Sequence, residues 1–404
     1  MKTLLIIGFV WPEPGSSAAG TRMLQLIHLF LNQGFEVHIA SAAKKTPYSF
    51  DLSSLNIKEH EIQLNNSSFD LFVQKLKPDT VLYDRFMVEE QYSWRIRKHC
   101  AHTLHVLDTE DLHFLRYGRQ KLKTKDISIE AFASFPITER EIAAILRSDL
   151  SLIISQYEMD LLINTFKIPD HILHYLPFLE KPLYVEDLEK TLTYKERRHF
   201  VFIGNFIHEP NWQAVRTLKE KIWPEIRSCF RHAELHIYGA YAGKKVLQLN
   251  NPTQGFLVKG RTADALTTLE KYRVLLAPLT FGAGIKGKLL DATKAGTPYL
   301  TTALGSEGIG GRGSTADLEN FADKALEIYQ DEFKWKELQE KNRKVFSENF
   351  DKTKFEKPFQ QKIKKIFDEV HSHRAKNFMG QILLNNNYQS RKYMSLWIEE
   401  KNKK

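Results

Sequence analysis

Cysteine is almost missing: Cys100 and Cys229 are the only two in 404 residues. Two thiols supply neither a disulfide framework nor a zinc-ligand set, and a chain of this length can bury its cores without either. A reducing compartment is therefore expected. Long apolar runs are missing too, since none approaches the roughly 18–20 residues that span a bilayer. The chain shows no repeat of solenoid period, no low-complexity tract, and no zinc-finger, RNP or helix-turn-helix signature. Nucleic acid is set aside as a partner for that reason, despite a formal net charge of +9. The basic excess fits phosphate-bearing ligands or contact with an anionic membrane surface. What remains is ordinary for a soluble globular protein: 42% apolar and 26% charged residues. The length allows two or three domains.

Lys2 precedes the apolar run Thr3–Trp11, and Ser17-Ala18-Ala19 could pass for a cleavage site. That pattern has the form of a short secretory signal. Gly8 inside the run and the helical pattern after Gly20 favour a buried first strand, Leu4–Val10. A helix over Thr21–Gln33 follows, then strands at Glu36–Ser41, Thr80–Tyr83, Thr103–Leu107 and Leu150–Ser155. The alternation restarts at His199. Strands are expected at Phe200–Gly204, Glu234–Tyr238, Gly255–Val258, Val274–Pro278 and Pro298–Thr302, with helices at Trp212–Ile226 and Lys286–Lys294. Such alternation means an α/β chain with parallel sheets covered on both faces. Residues 1–176 form a first Rossmann-like domain, 177–198 a linker, 199–350 a second Rossmann-like domain, and 351–404 a helix and basic tail. In that last segment Phe355, Phe359, Ile363, Ile366 and Val370 recur at helical spacing, with Lys357, Lys362, Lys364 and Lys365 on other faces. The stripe packs on the domains or, as the sharper alternative, lies on a membrane surface. In the tail Arg391–Lys404, Trp397 and Ile398 gain by leaving water, so the tail is expected to dock.

The segment from Ala277 to Pro298 is the most informative. A strand ends at Pro278, and a loop holding Gly282, Gly284 and Gly287 opens a helix. Glycines let backbone approach a ligand, and free amides at a helix start favour an anion. Lys286 and Lys288 add charge-assisted donors. Between Lys271 and Ser306 the only acid is Asp291, placed to accept ribose hydroxyls. The plainer alternative is a tight turn with solvated lysines.

This segment resembles the donor-binding signature of glycosyltransferase family 4, the group 1 glycosyltransferases of GT-B fold. Gly296-Thr-Pro298, Gly305-Ser-Glu307-Gly308, Phe202-Ile-Gly204 with Asn205 and Pro210-Asn211, and Lys259-Gly260-Arg261 follow in the family's order. The resemblance implies two Rossmann-like domains facing across a cleft, with a C-terminal crossing helix. It implies transfer of a sugar from a UDP or GDP sugar to a glycan or lipid-linked acceptor, with surface polysaccharide or lipopolysaccharide assembly as the setting. No cofactor and no metal are expected, because lysines supply the charge. The implied donor contacts are Gly15, Gly20, Arg22, Gly204, Asn205, Arg261, Gly284, Ile285, Lys286, Lys288, Asp291 and Glu307. Asp111 and His113, in the acidic run Asp108–His113, join Lys288 as catalytic candidates. Ser155 and Glu158 resemble the last first-domain strand, which lines the cleft. The expected location is the cytoplasm, extending to peripheral contact with the inner face of the membrane.

Two departures stand out. The family's second glutamate is Asp291, and its first is Ala283, where the donor sugar would be met. A Gly-Ile-Lys-Gly-Lys form occurs in a subset of the family, so transfer remains the expectation. A protein that binds a nucleotide sugar without transferring it, and an epimerase on the same fold, are the alternatives. The acidic run also resembles the metal motif of the other common glycosyltransferase fold, which would leave the second alternating half unexplained.

Overall fold

The computed structural model describes residues 2–310 and 314–403. Met1 and Lys404, outer limits of the expected segments, lie outside the described residues, as does the side chain of Arg391.

Seven strands form the first sheet: β1 (Thr3–Gly8), β2 (Glu36–Ser41), β3 (Lys58–Glu61), β4 (Thr80–Asp84), β5 (Leu104–Asp108), β6 (Leu150–Ile153) and β7 (Leu173–Tyr175). Their order is β3-β2-β1-β4-β5-β6-β7, parallel throughout. Five strands form the second: β8 (Arg198–Ile203), β9 (Leu235–Tyr238), β10 (Phe256–Gly260), β11 (Tyr272–Ala277) and β12 (Tyr299–Thr301). Their order is β10-β9-β8-β11-β12, also parallel. In each sheet the order reverses beside the first strand, which is where ligands bind in open α/β folds. Central strands are apolar on both faces because helices cover both. Leu5, Ile7 and Val81 join one buried cluster of the first domain, while Leu4, Ile6 and Leu82 join the other.

The helices that position the site are α1 (Ala18–Asn32), α2 (Phe86–His99), α3 (His113–Leu122), α4 (Pro136–Arg147), α5 (Gly287–Lys294), α6 (Glu332–Phe350), α7 (Lys352–Asp368) and α8 (Phe378–Asn402). Ser17 caps α1 by accepting the Gly20 amide at 3.1 Å. Strand β1 stops at Gly8, earlier than expected: a Cβ there would stand 2.7 Å from the Val10 carbonyl oxygen. The helix expected over Trp212–Ile226 begins at Glu209 and contains a π-helical turn, Leu218–Ile222, before Trp223–Cys229.

The chain passes twice between the sheets, and the two passages run side by side. The Glu180 amide donates to the Phe350 carbonyl at 2.8 Å, and the Lys352 amide to the Glu180 carbonyl at 2.9 Å. Helix α7 then returns to the first sheet. Phe359, Ile363 and Ile366 are buried with Leu4, Ile6 and Phe30, and Phe359 meets Phe30 edge-on at 5.5 Å. The apolar stripe is therefore core, and the membrane-surface alternative for it fails. The tail corrects a second expectation. Helix α8 docks on the first domain by polar groups, and Trp397 is 59% exposed.

Phe359→Ala should remove a ring with no exposed surface and destabilise the first domain by about 3–5 kcal/mol in urea unfolding. A loss below about 1 kcal/mol would mean that α7 rests loosely on the sheet.

Candidate active site

A cavity of about 210 Å3 opens between the carboxyl ends of the two sheets. The start of α1 enters from the first domain and the start of α5 from the second. These starts nearly touch, since a Cβ on Gly287 would lie 2.7 Å from the Ala18 Cβ. Two helix N-termini thus face one space, each bringing free amides and the positive end of its dipole.

The cavity gathers Gly15, Gly204, Asn205, Arg261, Ile285, Lys286, Lys288, Asp291 and Asp111 from the expected set. The lysines lie on one side. The Lys288 ammonium bonds to Asn211 Oδ1 and sits 4.3 Å over the Phe202 ring. Burial, then the neighbouring Lys286 cation, lowers its pKa to about 7. Lys286 donates to the Gly284 carbonyl at 2.8 Å, and burial lowers its pKa to about 8 against the pull of Glu307. Asp291 is tied to Lys294 at 3.0 Å and keeps a partly open carboxylate. The opposite side is acidic. Glu110 and Asp111 line it, with Arg116 bonded to Asp111 and Arg85 standing 3.6 Å from Glu110. Arg85 and Glu110 follow strands β4 and β5 with φ of +75° and +63°, a strained backbone of the kind that collects at functional loops. Asn211 and His208, from the second domain, also reach the cavity.

Five expected site residues do not line the cavity: Arg22, Gly20, Glu307, His113 and Gly284. Arg22 is buried: its guanidinium clasps Asp108 at 2.7–3.1 Å and donates to the Leu176 carbonyl at 2.8 Å. Buried in this way, it does not line the cavity. Gly20 serves packing, because a Cβ would come within 2.4–2.7 Å of the Glu13 backbone. Glu307 is held by Arg119 at 2.7 and 3.0 Å. His113 lies behind Asp111, its Nε2 3.3 Å from Asp111 Oδ1. Burial, then Arg116, holds its pKa well below the usual value, so it is neutral. One donor atom each of Glu110, Asp111 and His113 falls within a 4.8 Å cluster, the size of a metal site. The Arg85 and Arg116 guanidinium groups beside it weaken its hold on a cation.

The glycine-rich loop is gripped by the opposite domain. Arg119 donates to the Gly282 carbonyl at 2.8 Å, and Glu158 Oε1 accepts the Gly284 amide at 2.8 Å and the Leu112 amide at 3.1 Å. Ala283 between them enters the apolar cluster of the first domain. Gly284 has φ of +62°, and a Cβ on it would meet the Asp111 Cβ at 2.8 Å. At the other end of the cleft the Tyr241 hydroxyl donates to Glu13 at 2.8 Å. There the Arg261 guanidinium lies 3.4 Å over the Tyr48 ring. Arg116, Arg119 and Tyr48 are not singled out by the sequence. The i, i+3 arginines on α3 look like a solvated basic face until the second domain is placed against them.

Burial, then the Asp111 charge, raises the Glu158 pKa to about 7, and its Oε2 has no hydrogen-bond partner among the described residues. The folded form therefore binds the proton more tightly than the unfolded form, so Glu158 costs stability as pH rises from about 4.5 to 7 and beyond. Glu158→Gln keeps the acceptor for both amides. It should raise stability at pH 7.5 by up to about 3 kcal/mol and flatten the pH profile of thermal unfolding between pH 5 and 7.5. An unchanged profile would show that Glu158 is not the group responsible.

Comparison with known proteins agrees with this geometry. Residues 197–331 match the family model described as Glycosyl transferases group 1. No curated protein matches the chain in sequence. Solved structures match nearly its whole length. A TarM variant from S. aureus, in complex with fondaparinux, α-GlcNAc-glycerol and UDP, is 10% identical with a TM-score of 0.68, covering 91% of this chain and 100% of that one. Sucrose-phosphate synthase from Thermosynechococcus elongatus is 14% identical at TM-score 0.66, covering 91% and 100%. Anabaena HepE, in complex with UDP and glucose, is 10% identical at TM-score 0.67, covering 90% and 100%. Residues 197–331 thus resemble the group 1 glycosyl transferase model, and the chain has the two-domain GT-B fold of these solved structures.

Proposed function

We propose that the protein transfers a sugar from a nucleoside-diphosphate sugar, UDP- or GDP-linked, to a hydroxyl of a glycan or lipid-linked acceptor. One observation carries the reading: Lys286, Lys288 and two helix N-termini converge on one cavity at the reversal points of both sheets. A diphosphate satisfies that concentration of donors. It gains charge as the glycosidic bond breaks, so the same donors stabilise the departing group without a metal. Asp291, on the first turns of α5, accepts the ribose hydroxyls. Gly204 and Arg261 border the nucleoside end. Glu110 and Asp111 face the sugar from the opposite domain, where the buried Ala283 contributes no polar group. His208 stands beside them in the cavity lining. HepE and TarM bind UDP in their solved complexes, which favours uridine as the base. The setting is surface glycan or lipopolysaccharide assembly in the cytoplasm.

The first test is thermal unfolding with UDP, GDP, ADP, TDP and CMP and their sugar conjugates. A ligand at about 100 times its Kd stabilises by about 2.7 kcal/mol, a shift of several degrees for a chain this size. A flat response to all of them would sink the proposal. Turnover with a responding sugar conjugate separates transfer from binding alone.

Lys288→Ala should weaken UDP binding far more than uridine binding, and equal losses would deny Lys288 a phosphate role. A second consequence concerns protons. A lysine with pKa near 7 is mostly neutral at pH 8, and an adjacent diphosphate draws its pKa back up. Binding at pH 8 should take up as much as about one proton, with uptake fading below pH 6. Calorimetry in buffers of different ionisation enthalpy reads this directly. The uptake should shrink in Lys288→Met, and persistence at full size would assign it elsewhere. Asp291→Asn should weaken UDP more than its 2′-deoxy analogue, which keeps one of the two hydroxyls, and equal losses would remove Asp291 from the ribose.

A further inference from the structure

The last helix is inverted. Among the described residues, the buried side chains of α8 and its cap are polar, and its most exposed large side chains are apolar. Glu399 accepts the Ser67 amide at 3.1 Å and pairs with Arg95 at 3.4 Å. Arg95 also reaches Ser395 Oγ at 3.3 Å, and Asn377 donates to the Leu146 carbonyl at 2.6 Å. Gly380 packs where any side chain would strike that carbonyl at 2.2 Å. Facing outward are Phe378, Met379, Tyr393, Met394, Leu396 and Trp397, exposed by 40–70%. At 3.6 residues per turn these six fall within about 160° of arc. A helix held to its own protein through ions and hydrogen bonds, with Trp and Tyr turned to solvent, gives up the burial that ordinarily fixes a surface helix.

The charge around this face decides what covers it. Lys392 lies 5.7 Å from the Tyr393 ring and Lys401 lies 5.3 Å from the Trp397 ring. Glu400, the acid on this side, is paired with Lys403 at 3.2 Å. Aromatic side chains with lysines at their edges suit the boundary between headgroups and acyl chains. A second copy would bring the same lysines against their own images, on a chain of formal net charge +9.

We infer that the outward face of α8 docks on an anionic lipid surface, with Tyr393, Met394, Leu396 and Trp397 entering the headgroup layer and Lys392 and Lys401 meeting lipid phosphates. This attachment is separate from the cavity and does not depend on the transferase reading. It would anchor the first domain to the membrane while leaving the cleft free.

The full-length chain should be sedimented with phosphatidylcholine vesicles, with and without phosphatidylglycerol. Binding is expected only with the anionic lipid and should fall as salt rises. Trp397→Ser should weaken it about tenfold, and Lys401→Ala about fivefold at low salt. Both side chains are exposed, so the thermal transition and the response to UDP should stay as in the parent, which keeps this test apart from that of the donor site. No sedimentation of the parent with anionic vesicles would overturn the inference, and so would equal binding by parent and variants. A dimer that forms without vesicle binding and is lost in Trp397→Ser would overturn it in favour of a second copy.

Discussion

The loop that opens α5 cannot hold its shape from within its own domain. It is built from small residues, its amides and carbonyls need partners, and those partners are the buried Arg119 and Glu158 of the first domain. The glycine-rich loop is therefore a shared structure. Each domain supplies half of what defines it, and the close contact of Gly284 with Asp111 allows no side chain at that position. Separating the domains would strip the loop of its support and leave an arginine and a carboxylate poorly satisfied, which is expensive in a low-dielectric interior. Ala283 fits the same logic. A carboxylate there would have to enter the apolar cluster that its methyl group now joins.

The two walls of the cleft carry opposite charge, and each restrains its own. Arg116 and Arg85 balance the acidic wall. The lysine wall is balanced by proton loss: two ammonium groups drawn close and out of water titrate near neutrality. An anionic ligand placed between them would draw those protons back.

Much of this architecture could be read from the chain. The strand runs of both sheets, the stripe of α7 and the glycine-lysine loop each carry a strong local pattern. Strands β3 and β7 do not. The first reads Lys-Glu-His-Glu at a sheet edge, and the second is three residues long. Helix α2 hides for another reason. It buries charge, with Glu89 paired to Arg147 and Arg95 to Asp70, and a buried ion pair looks like a solvated surface in sequence. Arg22 misleads in the same way, because nothing near it in sequence announces Asp108. Arg119 and Glu158 become meaningful only when a residue more than a hundred positions away is set against them. In sequence the polarity of α8 reads the other way round, with Trp397 expected to leave water, because its direction depends on where Arg95 stands.

Helix α7 has a consequence for the order in which the protein is made. Phe359, Ile363 and Ile366 complete a cluster whose other members, from Leu4 to Leu179, leave the ribosome long before them. The domain synthesised first is the last to close its core. Until then one face of its sheet is open, and the second domain, whose elements between Arg198 and Phe350 follow one another without interruption, is the part free to fold ahead of it.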